Sequence, residues 1–149
     1  MRGKVISHRG NIYGPDQAIE NNPLHILSLL NDDIDCEIDV WNMSGDWFTG
    51  HDAPLYKTTL DFLKNPGLWI HCKNFAALEL LNRESKINYF WHENDKYTIT
   101  SFGCIWAYPG VEPPENGVIV HLGSDWCGKY KKSSVCTDYF NKNLQHEIS

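Results

Sequence analysis

The sequence predicts an α/β domain, a parallel sheet covered by helices, and three observations predict it. Short apolar runs alternate with helix-spaced segments, the pattern of parallel strands joined by crossover helices. The length, 149 residues, suits one domain with a true core, spanning residues 1–149. His, Glu, Asp or Lys recur at the ends of the apolar runs, where parallel sheets collect their ligands beyond the strands' carboxyl ends.

Taken in order, Lys4 to Ser7 is a short apolar strand ending in His8-Arg9-Gly10. A loop follows to Asn22, with Gly14-Pro15 as its turn. Pro23 suits a first helical position, and Leu24, Leu27 and Leu30 repeat at helical spacing until Asn31-Asp32-Asp33. The strand Ile34 to Trp41 comes next. Gly45-Asp46 turns the chain into a strand over Trp47 to Thr49, which ends at Gly50-His51-Asp52. Thr58 or Thr59 caps a short helix running to Lys64, stopped by Asn65-Pro66-Gly67. Leu68 to Cys72 is apolar and ends in His71-Cys72-Lys73. Asn74 caps a helix with Phe75, Leu78 and Leu81 on one face. Asn88 to Trp91 leads to His92-Glu93. Tyr97 to Thr100 and Cys104 to Tyr108 form two strands around Phe102-Gly103, and Val118 to Val120 forms another before His121. From Gly123 the chain is polar and turn-rich, and no element is read in it. No internal repeat or low-complexity segment is present.

The strand Ile34-Asp35-Cys36-Glu37-Ile38-Asp39-Val40-Trp41 carries the chemistry. Side chains alternate faces along a strand, so Glu37 and Asp39 point the same way, roughly 6–7 Å apart. Two carboxylates on an inner face are costly unless a positive group stands between them, and a divalent cation meets that need. On an exposed edge strand both would simply be solvated.

Composition narrows the classes. The chain is 42% hydrophobic and 13% aromatic with six Trp, so it is globular. A net charge of -6 and a pI near 5.6 argue against polymeric nucleic acid or an anionic membrane as partner. Five Cys with no CxxC pair read as reduced thiols of a cytoplasmic protein, with Cys36 and Cys72 facing the packed side. Neither a secretory segment nor a membrane span is expected from the residues after Met1.

Together, His8-Arg9-Gly10, Glu20-Asn21, Glu37-x-Asp39 and the run Gly50-His51-Asp52-Ala53-Pro54-Leu55, with Thr58-Thr59 beyond it, resemble the glycerophosphodiester phosphodiesterase family. That family belongs to the phosphatidylinositol-phospholipase-C-like superfamily. The resemblance covers roughly the first half of the chain. Two departures stand out. The family's E-x-K strand reads His71-Cys72-Lys73 here, so an imidazole replaces a carboxylate. The family fold is a (β/α)8 barrel of about 250 residues. This chain would therefore be a trimmed TIM-like barrel of parallel strands, with fewer and shorter helices.

The resemblance implies cleavage of a small soluble phosphodiester, glycerophosphodiester-like or nucleotide-derived. His8 and His51 would be the catalytic acid and base, since imidazole titrates near pH ~6.5. Arg9 and Lys73 would clamp the phosphate. Glu37 and Asp39, joined by His71 and Glu20, would hold Mg²⁺ or Ca²⁺, and an imidazole ligand would favour Mn²⁺ or Zn²⁺. His92 and Glu93 lie at a strand end and are candidates to line the pocket. His121 reads as structural, and His25 and His146 as solvated. Two other functions fit the same residues: an inactive protein that sequesters a phosphorylated ligand, and a lyase that stops at a cyclic phosphate. Apolar surface left by missing helices is compatible with a homodimer. The expected location is cytoplasmic, and would be a host cytoplasm if the chain were phage-encoded.

Overall fold

The computed structural model describes residues 3–140. Its strands are β1 (Val5–His8), β2 (Asp35–Met43), β3 (Asp46–Thr49), β4 (Tyr56–Thr58), β5 (Leu68–Cys72), β6 (Tyr89–Phe90), β7 (Tyr97–Ile99), β8 (Ile105–Ala107), β9 (Val118–Val120) and β10 (Ser134–Thr137). Its helices are α1 (Pro23–Asn31), α2 (Leu60–Leu63) and α3 (Phe75–Leu81). The Asn22, Thr59 and Asn74 side chains cap them, each accepting a backbone N–H of the first turn.

Parallel pairings run in the order β6-β5-β2-β1-β10-β9-β8. The remaining ladders are antiparallel: β2 with β3, β3 with β4, and β7 with β8. One edge of β2 serves two neighbours. The Glu37 carbonyl accepts from Arg9 just past β1, and the Asp39 carbonyl accepts from Gly50 just past β3.

The trimmed barrel of parallel strands is therefore not what forms. The sheet is mixed, and it curls into an open half-barrel. Two local causes account for the difference. Ser44 and Gly45 both take positive φ, 53° and 92°, the geometry of a tight hairpin turn. A turn this short cannot carry a crossover, so β3 has to return antiparallel. Beyond β6 the described connections contain no α-helix, and Pro109, Gly110, Pro113, Pro114 and Gly117 interrupt the stretch from β8 to β9. Between β6 and β7 no ladder forms among the described residues, although the Ser101 N–H reaches the Tyr89 carbonyl at 2.8 Å.

Strand alternation sorts the side chains onto two faces. Val5, Cys36, Ile38, Val40, Leu68, Ile70, Cys72, Ile119 and Val135 pack outward, under Ile26 and Leu29 of α1, Leu63 of α2, and Ala77 and Leu81 of α3. Ile6, Trp69, Phe90, Trp106, Val118, Val120 and Cys136 form a smaller cluster on the opposite face. Next along that second face come His8, Glu37, Asp39 and His71, so the polar residues sit above an apolar floor. Burial pushes the Cys72 thiol up to about 12 and raises Cys36 as well, as expected of reduced core thiols.

Helix faces differ from the spacing read in the sequence. In α1 the buried residues are Ile26 and Leu29, while Leu24 and Leu27 are exposed. In α3 Ala77 and Leu81 are buried and Phe75 is exposed. Both helices are too short for a wide apolar stripe, and the sheet they cover decides which face turns in. The unassigned polar tail contains β10, which sits between β1 and β9. Residues 141–149, including His146, lie outside the described residues. No helix among the described residues is long and apolar enough to cross a membrane.

Candidate metal centre and surrounding cleft

A cleft of about 370 Å³ opens over the second face. His8, Arg9, Glu37, Asp39, His51, His71, Lys73, His92 and Glu93 all line it, brought together from five separate segments. Of the residues proposed from the sequence as catalytic, phosphate-binding, metal-ligating or pocket-lining, Glu20 alone is not among the lining residues. The Asn11 amide donates to it at 2.9 Å, and Arg9 Nη1 stands 3.7 Å away.

Glu37, Asp39 and His71 are positioned by register. Asp39 is directly opposite His71 across the β2–β5 ladder, and Glu37 is opposite Trp69. One potential ligand atom from each of Glu37, Asp39 and His71 lies within 4.8 Å of the others. His71 Nδ1 is 3.2 Å from Asp39 Oδ1 and 3.9 Å from Glu37 Oε1. His71 Nε2 is 2.7 Å from the His92 carbonyl. A carbonyl only accepts, so Nε2 carries a proton and the neutral ring turns its Nδ1 lone pair toward the carboxylates. An outer hydrogen bond that fixes the tautomer in this way is the usual support of a metal-ligating imidazole.

The polar inventory fits a cation. Glu37 Oε2 and Asp39 Oδ1 are buried and accept no hydrogen bond, and Arg9 Nε is buried and donates none. Buried oxygens are rarely left unpaired unless something else satisfies them. The other Asp39 oxygen is well held: Asn21 Nδ2 donates to Oδ2 at 3.0 Å, and Asn21 Oδ1 accepts the Asp39 N–H at 2.9 Å. These three residues could hold a metal ion.

The two acids differ in protonation. Burial and the neighbouring Asp39 charge raise Glu37, which favours its neutral form. Asp39 goes the other way, to about 2: burial alone would raise it, but His71, Arg9 and the Asn21 amide outweigh burial. His71 is raised because Asp39 and Glu37 overcome its desolvation.

His8 is fixed by a residue not singled out in the sequence. Its Nδ1 is 2.7 Å from Asp138 Oδ1, and Asn11 Nδ2 donates to the same oxygen at 2.8 Å. The carboxylate holds the ring proton on Nδ1 and leaves Nε2 toward the cleft, 3.8 Å from Glu37 Oε2. Burial would lower His8, but Asp138 and Glu37 raise it. Asp138 directly follows β10, and an acid just past a strand would have been its signal had that short, half-polar strand been legible. His51 has a similar arrangement: its Nδ1 is 2.8 Å from Asp52 Oδ1, on a side chain 40% exposed at the rim.

Arg9 takes a left-handed φ of 57° immediately before Gly10 at 90°. This sharp turn ends β1 and swings the guanidinium back to 3.4 Å from Asp39 Oδ2. Lys73 makes no ion pair among the described residues. His92 is buried, and its ring stands edge-on to Tyr108; Glu93 is exposed. His25 is not solvated as expected but half-buried, 2.8 Å from the Gly10 carbonyl. His121 is held between Tyr130 and Asp125 by its two ring nitrogens.

Two predictions arise here. A Cβ at Gly50 would stand 2.1 Å from the Ala53 carbonyl oxygen, so the tight loop carrying His51 requires glycine. Gly50→Ala is expected to cost about 1–3 kcal/mol in urea unfolding and to displace His51. The second concerns pH in the metal-free protein. Asp39 is lowered from 3.8, so its stabilisation is present above that value and is lost as pH falls toward about 2. His8 and His71 are raised from 6.5, so theirs is complete below that value and lost as pH rises through their folded-state pKa. Glu37, raised from 4.5, likewise disfavours folding as pH climbs above that value. Thermal unfolding in EDTA is therefore expected to show greater stability at pH 5 than at pH 8.

Compared with known proteins, the chain matches no family model, no curated protein and no solved structure.

Proposed function

We propose that this protein is a metal-dependent phosphodiesterase acting on a small soluble phosphodiester, as the glycerophosphodiester phosphodiesterase resemblance implies. One observation carries the reading. Two histidines, each held by a carboxylate, share a single cleft with the Glu37–Asp39–His71 cluster and two cationic side chains. The donor set of two carboxylates and one imidazole suits Mn²⁺ or Zn²⁺ better than Ca²⁺. Such an ion supplies charge neutralisation at a phosphoryl oxygen.

The chain's own residues account for the rest. Arg9 and Lys73 hold the remaining phosphoryl oxygens. One histidine takes the proton of the attacking hydroxyl as the new oxygen–phosphorus bond forms. The other gives a proton to the departing alkoxide as the old bond breaks. Asp138 and Asp52 keep each ring's proton on Nδ1, so Nε2 makes the transfer. The resemblance favours a substrate hydroxyl as first attacker, with water opening the resulting cyclic phosphate.

The test is hydrolysis of glycerophosphocholine, whose glycerol arm carries the neighbouring hydroxyl, with Mn²⁺, followed by phosphorus NMR. Monoester product lost in EDTA, and lost in His8→Ala and His51→Ala, is the expected result. Undiminished activity in both variants would remove the proposal. Accumulation of cyclic phosphate would assign a lyase instead.

A further inference from the structure

The cleft has two unlike walls. One is charged and carries the metal cluster, the histidines, Arg9 and Lys73. The other is formed by Trp106, Tyr108 and Pro109 at the end of β8, and by Val120 and Leu122 at the end of β9. Tyr108 and Leu122 are each 42% exposed, although they line a cleft whose opposite wall is ionic. A column of rings joins the two walls. Phe90 stacks on His71 at 5.2 Å, with the planes 6° apart, and Trp106 stacks on Phe90 at 4.6 Å.

We propose that the substrate is a phosphodiester with one compact, uncharged, apolar or aromatic arm, and that this arm lies on Tyr108 and Leu122. The inference rests on the phosphodiesterase reading and names the substrate class for the same site. The wall's composition decides between arms. A polyol arm needs several hydrogen-bonding groups, and apart from the Tyr108 hydroxyl the exposed part of this wall is aliphatic and aromatic carbon. A quaternary ammonium arm needs several exposed ring faces around it. Here Trp106 and Phe90 are buried, and so is His92, which stands edge-on to Tyr108; Tyr108 alone among these supplies an exposed ring, beside Val120, Pro109 and Leu122. Size limits the arm as well. At about 370 Å³ the cleft lies at the small end of ligand sites, which span roughly 300–1,000 Å³. It therefore suits an arm of about one ring system.

The test is calorimetry on the full chain with Mn²⁺, using four probes: inorganic phosphate, glycerol 3-phosphate, phosphocholine and phenylphosphonate. Phenylphosphonate is expected to bind about tenfold or more tighter than glycerol 3-phosphate. That gap should close in Tyr108→Ala and narrow in Leu122→Ser, with inorganic phosphate binding unchanged in both. Both side chains are partly exposed, so neither substitution hollows the core. Phosphocholine binding tightest, or a gap that survives both substitutions, overturns this assignment while leaving the phosphodiesterase reading in place. Failure of all four probes, inorganic phosphate included, overturns both together.

Discussion

Glu37→Gln and Asp39→Ala are expected to abolish Mn²⁺ binding alike and to affect stability in opposite ways. In the metal-free protein Glu37 is held toward its neutral form, and glutamine copies that form in shape and charge. Its substitution should leave the unfolding midpoint nearly unchanged. Asp39 is different. It is ionised, it faces Arg9 and His71, and it is joined to Asn21 by two hydrogen bonds. Alanine there leaves the Arg9 guanidinium, the His71 ring and the Asn21 amide without the carboxylate they face. Removing one member of a buried ionic group typically costs about 3–5 kcal/mol, and the loss is expected in that range. Isothermal titration with Mn²⁺ and urea unfolding of each variant check the two halves separately. Equal destabilisation by both substitutions would contradict the asymmetry between the acids.

His8→Ala is expected to lower phosphodiester cleavage by about 10²–10⁴-fold, the usual contribution of a positioned acid or base. Asp138→Asn should fall in the same range for another reason. An amide in place of the carboxylate no longer dictates which ring nitrogen bears the proton, so Nε2 is left in the wrong state. The two variants separate in their pH profiles. Removal of the Asp138 charge takes away an interaction that raises His8, so whichever limb of the pH profile His8 controls should shift to lower pH in Asp138→Asn. In His8→Ala that limb should disappear. Inorganic phosphate should still bind to both, since Arg9 and Lys73 are untouched.

Much of the site was legible in the sequence because strand geometry is strictly periodic. The two-residue spacing of Glu37 and Asp39 puts both on one face, whatever the strand's neighbours. Polar residues at the ends of apolar runs were bound to meet wherever parallel strands lay side by side, and His8, Glu37 and His71 come from strands that do. The overall form was less legible. It depended on two small residues, Ser44 and Gly45, whose positive φ turns the chain back at once. It depended also on prolines that leave the stretch from β8 to β9 without a helix. Strand β10 was missed because Ser134-Val135-Cys136-Thr137 is short, half polar and surrounded by turn residues. Its burial comes from its place between β1 and β9, which no local pattern encodes. Asp138 was missed with it. The buried faces of α1 and α3 are not encoded in leucine spacing, because the sheet decides which side of each short helix is covered.

The pairing of His8 with Asp138 spans 130 residues, and β10 is hydrogen-bonded to strands on both sides. During translation, at about 5–20 residues per second, the first of these groups waits roughly 6–26 s for the second to be synthesised. Until then β1 and β9 each have a bare edge, the kind of surface that recruits other strands. A nascent chain halted before Ser134 should therefore aggregate or be captured by chaperones, and the two ends of the cleft should become protected from hydrogen exchange in the same late event.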